Sequence, residues 1–362
     1  MMKYRQKYTA HWQFLLLREG SEIQFLYICR NMKAIIPVAG AGIRLRPHTY
    51  TQPKPLIPVA GKPIIAFIVD QLIDAGIRDF VFVIGYLGDK IRLYLEQAYP
   101  DVRKHYVTQT DRLGSAHAIH TAREHLDGVE EALIVFGDTI VDMDLPAFLA
   151  EPTSCLAVRK VRDPREVGVA EVDDEGYALR LIEKPSIPRS NLALVGIYKI
   201  RELRVLLTAI THLLEENRRT HGEFQLTDAL MEMIDAGVRF RTVEVRNWFD
   251  CGKREILLET NAIMLKRAGF ATLQPKGLTN SIIIPPVYIG EHCDISHSII
   301  GPNVSIGNEV RIQKSMVSDS IIGNYASLEE LVLHHSIIGN DSALQGPRQS
   351  LNIGDNTEID FS

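Results

Sequence analysis

Between Met32 and about Gly269 the chain alternates short apolar runs with stretches whose apolar residues recur at helical spacing. Ile35–Val38 reads as a short buried strand. Pro63 to Ala75 reads as a helix: Ile64, Ile65, Ile68, Val69, Leu72 and Ile73 fall on one face, Pro63 suits a first turn and Gly76 follows as a stop. Phe80–Ile84 is a continuous apolar strand, Gly88 to Ala98 a second helix, His105–Gln109 a strand, Gly114 to Leu126 a helix, and Ala132–Phe136 a strand ending at Gly137-Asp138. Unbroken apolar runs separated by amphipathic helices predict a parallel sheet covered on both faces. After Asp142 the pattern changes to antiparallel strands at 154–161, 168–172 and 177–182, with Asp173-Asp174-Glu175-Gly176 as a hairpin turn. A strand at 193–200, helices near 201–217 and 226–236, a strand at 240–245 and a helix at 253–267 complete this part.

From about Thr279 the texture repeats. Ser298-Ile299-Ile300-Gly301, Ser320-Ile321-Ile322-Gly323 and Ser336-Ile337-Ile338-Gly339 are near copies, and Ile306-Gly307 and Ile353-Gly354 extend the series. An aliphatic residue followed by glycine, at about six residues or a multiple, predicts a parallel β-helix with the aliphatic inside and glycine at the corner. The expected fold is therefore α/β: a Rossmann-like, mainly parallel mixed sheet with helices on both faces, then a small left-handed parallel β-helix. The expected division is an N-terminal extension at 1–31, a main domain at 32–269 and the β-helix at 279–362.

Composition narrows the function. Of 362 residues, 46% are apolar and 23% charged, which suits a substantial core. A formal net charge of −5 argues against nucleic acid and anionic membranes as partners. Cys29, Cys155, Cys251 and Cys293 are scattered, with no paired spacing, so a disulfide framework or zinc site is not expected and a reducing cytoplasm is. No segment reads as membrane-spanning. In residues 1–31 Arg18-Glu19 and Glu22 interrupt any signal-like run, and Met32 opens a strong strand, so Met32 is expected to be the natural start.

The chemistry concentrates in loops. Ala39-Gly40-Ala41-Gly42-Ile43-Arg44-Leu45-Arg46-Pro47 follows the first strand, where glycines free backbone N–H groups for phosphate oxygens and arginines add charge-assisted bonds. Leu45 stands where a dinucleotide fingerprint needs its third glycine, and no Gly-Lys-Ser/Thr follows, so neither a Rossmann dinucleotide site nor a Walker loop fits. Pro53-Lys54-Pro55-Leu56-Ile57-Pro58 holds a lysine on a proline-stiffened loop. Asp138 sits at a strand's carboxyl end, where ligands bind in open parallel sheets. None of the 12 histidines falls in a metal or triad spacing.

Gly-x-Gly-x-Arg-Leu-x-Pro followed by Pro-Lys-Pro-Leu-x-Pro-x-x-x-Lys-Pro resembles the signature of the sugar-1-phosphate nucleotidyltransferases. The resemblance continues in order through Gln109 and Leu113-Gly114-Ser115-Ala116, Phe136-Gly137-Asp138, Val167-Gly168-Val169-Ala170, Ile182-Glu183-Lys184-Pro185, Gly196-Ile197-Tyr198, the block 222–229 and Trp248-Phe249-Asp250-Cys251-Gly252, so it covers essentially all of 32–265. It implies that 32–269 is a catalytic domain in which Arg44 and Lys54 contact the triphosphate. Ala39, Gly40, Gly42, Gln109 and Gly114 are implied to bind the nucleotide, and Gly168, Glu183, Lys184 and Gly196 the sugar phosphate. Asp138 and Asp250 are implied as ligands of Mg2+. The implied partners are a nucleoside triphosphate and a sugar-1-phosphate, and a homo-oligomer is expected through the β-helix.

Departures keep the base open. Ile43 replaces the usual threonine, Pro55 stands where thymidylyltransferases often have glutamine, Thr139 where they often have asparagine, and Asp-Cys-Gly also resembles uridylyltransferases. The long form with a C-terminal β-helix resembles long thymidylyltransferases, which favours dTTP over UTP. Two other readings compete: acetyltransfer in the β-helix with His292, His297, His334 or His335 as base, and a non-catalytic regulatory subunit. The latter would lack Arg44, Lys54, Asp138 or Asp250, all of which are present.

Overall fold

The structure is a computed structural model that describes residues 32–269 and 278–346. The extension at 1–31, with Cys29, and the Ile353-Gly354 repeat lie outside the described residues. Thirteen strands build the first domain: β1 (Lys33–Val38), β2 (Pro58–Val59), β3 (Lys62–Pro63), β4 (Asp79–Ile84), β5 (Arg103–Thr108), β6 (Ala132–Val135), β7 (Thr139–Asp142), β8 (Ser154–Lys160), β9 (Gly168–Val172), β10 (Ala178–Glu183), β11 (Leu192–Ile200), β12 (Phe240–Glu244) and β13 (Asn247–Asp250). Seven helices accompany them: α1 (Ile64–Asp74), α2 (Gly88–Ala98), α3 (Ser115–Thr121), α4 (Leu145–Ala150), α5 (Leu203–Glu215), α6 (Leu226–Asp235) and α7 (Arg254–Arg267).

Nine strands form one mixed sheet in the order β10-β9-β11-β6-β1-β4-β5, with β8 beside β11 and β12 beside β8. β6, β1, β4 and β5 run parallel, and β11 runs antiparallel to β6. Alternate residues of β1 serve opposite layers. Ala34 and Ile36 pack with α1, α2, α4 and α7, whereas Ile35 packs with α3, α5 and α6. Both faces are buried, which is why β4 is apolar at nearly every position. The antiparallel strands expected after Asp142 are present at β8, β9 and β10, with β11 antiparallel to β8 and β9, and β8 gains a parallel partner in β12. The helix expected over 114–126 instead breaks after α3 into a separate 3-10 turn at Arg123–His125.

The β-helix has three faces of five, four and four short parallel strands. Ile295, Ile312, Leu328 and Leu344 stack one above another, and hydrogen bonds between equivalent positions span 17 and then 16 residues per coil. This explains the irregular repeat. Ile299-Ile300 stacks with Met316-Val317 on one face, whereas Ile321-Ile322 and Ile337-Ile338 stack above Ser305-Ile306 on another. Each coil turns through residues of positive φ, among them His297, Lys314 and Glu330 at one corner and Asn303, Asp319 and His335 at the next. Among the described residues no helix is long and apolar enough to cross a membrane.

The two parts meet over α7. Its apolar residues do not segregate to one side, because one flank faces the sheet domain and the other the β-helix. Asn261, fully buried, sits in this seam. Its Oδ1 accepts from the Ala60 N–H at 2.9 Å and the Ser305 hydroxyl at 2.6 Å, and its Nδ2 donates to the Asn303 carbonyl at 3.1 Å. Tyr288, Ile321 and Ile337 from the β-helix join the core of the sheet domain. Asn261→Ala strands these three partners, so it is expected to cost about 2–4 kcal/mol of stability, read as a lower unfolding midpoint in urea. An unshifted midpoint contradicts the assignment of the seam to this side chain.

Candidate functional site

The first loop leaves β1 at its carboxyl end and turns at once into 3-10 geometry over Ile43–Leu45. Gly42 starts the turn at φ 61, and a Cβ there would lie 2.9 Å from the Thr49 methyl and 3.1 Å from Lys54 Cβ. Only glycine lets this loop fold back over the lysine loop. Gly40 is exposed with open space where a side chain would project, while Ala39 is buried against Gly85. Arg44 is exposed, and its charge reaches both Asp138 and Asp250. Arg46 turns away and lies over the Tyr50 ring at 4.9 Å, so the two arginines do not act together.

Lys54 lies on a 3-10 turn between Pro53 and Leu56, with its side chain 13% exposed. Its Nζ donates to Asp138 Oδ2 at 2.5 Å and lies 3.9 Å from Asp250 Oδ1. The two carboxylates come from segments more than a hundred residues apart. β7 and β13 bring them together by pairing antiparallel, with Asp250 opposite Thr139, and Cys251 N–H closes the join on the Asp138 carbonyl at 3.2 Å. The carboxyl groups at 138 and 250 thus share one cleft.

The electrostatics of the pair are asymmetric. Burial pushes the Asp138 carboxyl up, but the adjacent Lys54 ammonium, with a backbone hydrogen bond and the Arg44 charge, more than offsets this and holds it below the usual carboxylate range. Asp250 is raised, first by burial and then by the Asp138 charge. One lysine therefore does not neutralise two carboxylates. Their side chains remain 37% and 33% exposed, so the oxygens face the cleft. Two hard anionic donors side by side, with an ammonium already standing in for a cation, fit a divalent ion such as Mg2+.

Further along the same edge, β10 ends at Glu183, opposite Gly168 of β9. A Cβ on Gly168 would lie 3.0 Å from Glu183 Oε2, so the glycine leaves the carboxylate its space. Thr227 Oγ1, from the start of α6, donates to that same oxygen at 2.7 Å. Burial raises the Glu183 carboxyl, with Thr227 and Lys184 acting against the shift. Lys184 Nζ lies 3.8 Å from Glu183 Oε1. Gly196, opposite the end of β6, accepts the Phe136 N–H at 2.9 Å and lies against the Phe136 ring. The family resemblance did not assign Thr227 a role; its signal was a hydroxyl in the matched block 222–229.

A cleft at the carboxyl ends of β4 and β5 is lined by Gly85, Tyr86, Thr108, Gln109, Thr110 and Arg112. Gln109 is buried, and its Nε2 donates to the Gly114 carbonyl at 3.1 Å and lies 2.9 Å from His117 Nδ1. Gly114 has φ 120, and a Cβ there would fall 2.4 Å from the Phe224 carbonyl oxygen, which fixes the loop against the start of α6. Burial lowers the His117 pKa, so its ring stays neutral and can accept from the amide. A second hollow between α5 and α6, lined by Thr208, His212, Glu215 and Glu232, contains none of these residues.

In the β-helix, His292, His297, His334 and His335 are all exposed, and His292, His297 and His335 form left-handed corners. Cys155, Cys251 and Cys293 are free and buried.

Residues 33–267 match the model of the family described as Nucleotidyl transferase. The chain is 32% identical over 325 residues to a glucose-1-phosphate thymidylyltransferase of Streptomyces griseus, across 82% of this chain and 88% of that protein. It is 34% identical to a bifunctional GlmU protein of Methanocaldococcus jannaschii, across 65% of this chain and 55% of that one. Among solved structures, a UDP-glucose pyrophosphorylase in complex with UDP-glucose superposes with a TM-score of 0.55 at 26% identity, covering 65% of this chain and 99% of the other. With that match running from β1 to the end of α7 and taking in every residue gathered around Lys54, the chain belongs to the nucleotidyl transferase family and is a sugar-1-phosphate nucleotidyltransferase.

Proposed function

We propose that the protein converts dTTP and glucose-1-phosphate to dTDP-glucose and pyrophosphate, with Arg44 and Lys54 on the triphosphate and Glu183 and Lys184 on the sugar phosphate. The observation that carries the transfer chemistry is the meeting of Lys54, Asp138 and Asp250 beside the glycine loop, where Gly42 packs on Lys54 and Gly40 stays open. A sugar-1-phosphate is largely dianionic near neutral pH, its second pKa being about 6, so its oxygen attacks the α-phosphorus without a general base. The absence of histidine from this cluster, among the described residues, accords with that. The protein's part is to hold the two phosphates in line and to take up charge on the departing pyrophosphate. Asp138 and Asp250 are the groups that would hold Mg2+, which when bound supplies charge neutralisation to the phosphate oxygens.

The buried Gln109 amide supports a uracil or thymine base. Its two N–H bonds go to Gly114 and His117, which leaves Oε1 as the acceptor free for a base. Uracil and thymine present an N3–H donor; cytosine presents a lone pair at that position and is repelled. Between dTTP and UTP, the alignment across 82% of this chain and 88% of the thymidylyltransferase supports dTTP. The aligned, exposed aliphatics Ile282, Met316 and Val332 on one face of the β-helix support self-association.

Pyrophosphate release for dTTP, UTP, CTP, ATP and GTP against several sugar-1-phosphates tests the reading. The highest kcat/KM is expected with dTTP and glucose-1-phosphate. His117→Phe removes the acceptor that orients Gln109, and the preference for dTTP over CTP is expected to fall by about 10-fold. Unchanged discrimination in the variant, or a purine preference in the wild type, overturns the assignment of the base.

A further inference from the structure

The second corner of the β-helix gathers side chains that nucleotidyl transfer does not use. Asp319 and His335 occupy equivalent left-handed positions on successive coils, at φ 46 and φ 52, and His334 immediately precedes the second of them. His334 and His335 are exposed and Asp319 is partly exposed, so the three side chains meet at the surface. They form the one group of three or more potential ligands among the described residues whose ligand atoms, one from each residue, all lie within 4.8 Å of one another. His335 Nδ1 is 3.1 Å from His334 Nε2, and His334 Nδ1 is 3.6 Å from Asp319 Oδ2. Two ligands on a tetrahedral metal with bonds of about 2.0–2.1 Å stand about 3.3 Å apart, close to the spacing of His335 Nδ1 and His334 Nε2, while Asp319 faces the other nitrogen of His334 and joins the cluster within its 4.8 Å limit by side-chain rotation.

We propose that Asp319, His334 and His335 form a binding site for a borderline divalent cation of the Zn2+, Co2+ or Ni2+ class. Two imidazoles and one carboxylate are the donor set of such ions, whereas Mg2+ prefers oxygen alone. Outer partners hold the ligands in place, as metal-binding histidines and carboxylates require. Ser318 Oγ lies 2.9 Å from His334 Nδ1 and leaves Nε2 for the metal on the side of His335. Asn303 Nδ2 donates to Asp319 Oδ1 at 2.8 Å and leaves the second oxygen for the metal. The Asn303 carbonyl in turn accepts from Asn261 in the seam between the domains. The ion would therefore clamp two coils at a point braced against the catalytic domain, through residues other than the carboxylate pair at Asp138 and Asp250.

The test uses the full chain without a histidine tag, stripped with EDTA and titrated with Zn2+ alone by calorimetry, with Co2+ absorption as a second probe. One Zn2+ per chain is expected, at a site that Mg2+ does not occupy, with a rise in the thermal unfolding midpoint. The double variant His334→Ala/His335→Ala is expected to lose this binding, and Asp319→Asn to weaken it at least about 10-fold. Asp319 and His335 are corner residues and His334 is an exposed strand end, so circular dichroism and unchanged Mg2+-dependent pyrophosphate release establish that the variants fold. Zn2+ binding of equal stoichiometry and affinity in the double variant, or no saturable binding in the wild type, overturns the proposal.

Discussion

Lys54→Ala is expected to lower kcat by about 10²–10³-fold with saturating dTTP and glucose-1-phosphate, the loss typical of one preorganised charge aimed at the transition state. Lys54 is held between prolines, 13% exposed, and its ammonium meets both carboxylates of the cleft. Arg44 sits on an exposed turn and cannot replace it. Lys54→Arg is not expected to rescue activity. The slot is narrow, since even a Cβ on Gly252 would lie 3.3 Å from Nζ, and a planar guanidinium needs more room. The stability signature follows from the sign of the Asp138 shift. A carboxyl held below its ordinary 3.8 contributes stability above that pH and loses it as pH falls through the lower folded value. Without Lys54 that contribution vanishes and two carboxylates face each other alone. The variant's deficit against wild type is therefore present from neutral pH down to about pH 4 and narrows below it, as seen by urea unfolding. Wild-type turnover in Lys54→Ala removes the central group of the proposed site.

Most of the sheet domain was readable because its elements are long and buried in a regular period. β4 and β9 and helix α2 lie at the expected positions. What escaped the sequence is made of short or long-range parts. β7 and β13 are four residues each, too short to show alternation, and they exist as strands only because they pair across a hundred residues. Those two strands set the distance between Asp138 and Asp250, so the sequence named the carboxylates without supplying the geometry that joins them. α4 was missed although a signal existed: Asp144 caps it by accepting the Ala147 N–H at 3.0 Å, and proline follows in the first turn. The near-identical Ser-Ile-Ile-Gly copies misled in a different way. The copy at 298 belongs to another face from those at 320 and 336, because coil length here is 16 or 17 residues rather than a multiple of six. The gathering of His334 and His335 with Asp319 is equally invisible as a spacing, since it depends on one coil stacking on the next.

Asp138 and Asp250 are expected to respond oppositely in stability and alike in activity. Asparagine at either position removes one of two carboxylates proposed to hold Mg2+. Loss of an outer partner alone weakens metal binding about 10–100-fold, so loss of a ligand is expected to raise the half-saturating Mg2+ concentration at least 10-fold and to lower kcat/KM by about 100-fold or more. For folding, the opposite shifts of the two groups decide the signs. Asp138 is stabilised in its charged form by Lys54, so Asp138→Asn lowers stability at neutral pH and the loss fades as pH falls. Asp250 is raised by burial and by Asp138, so its charge opposes folding above its folded pKa; Asp250→Asn is expected to leave stability at pH 7.5 unchanged or higher. That is the behaviour of a group kept for function at the expense of the fold. Pyrophosphate release across a Mg2+ series, paired with urea unfolding of both variants at pH 5 and 7.5, separates the two effects. An Asp250→Asn protein with wild-type Mg2+ dependence would show that this carboxylate is not a metal ligand. An Asp250→Asn protein less stable than Asp138→Asn at pH 7.5 would show that the lysine favours the other partner.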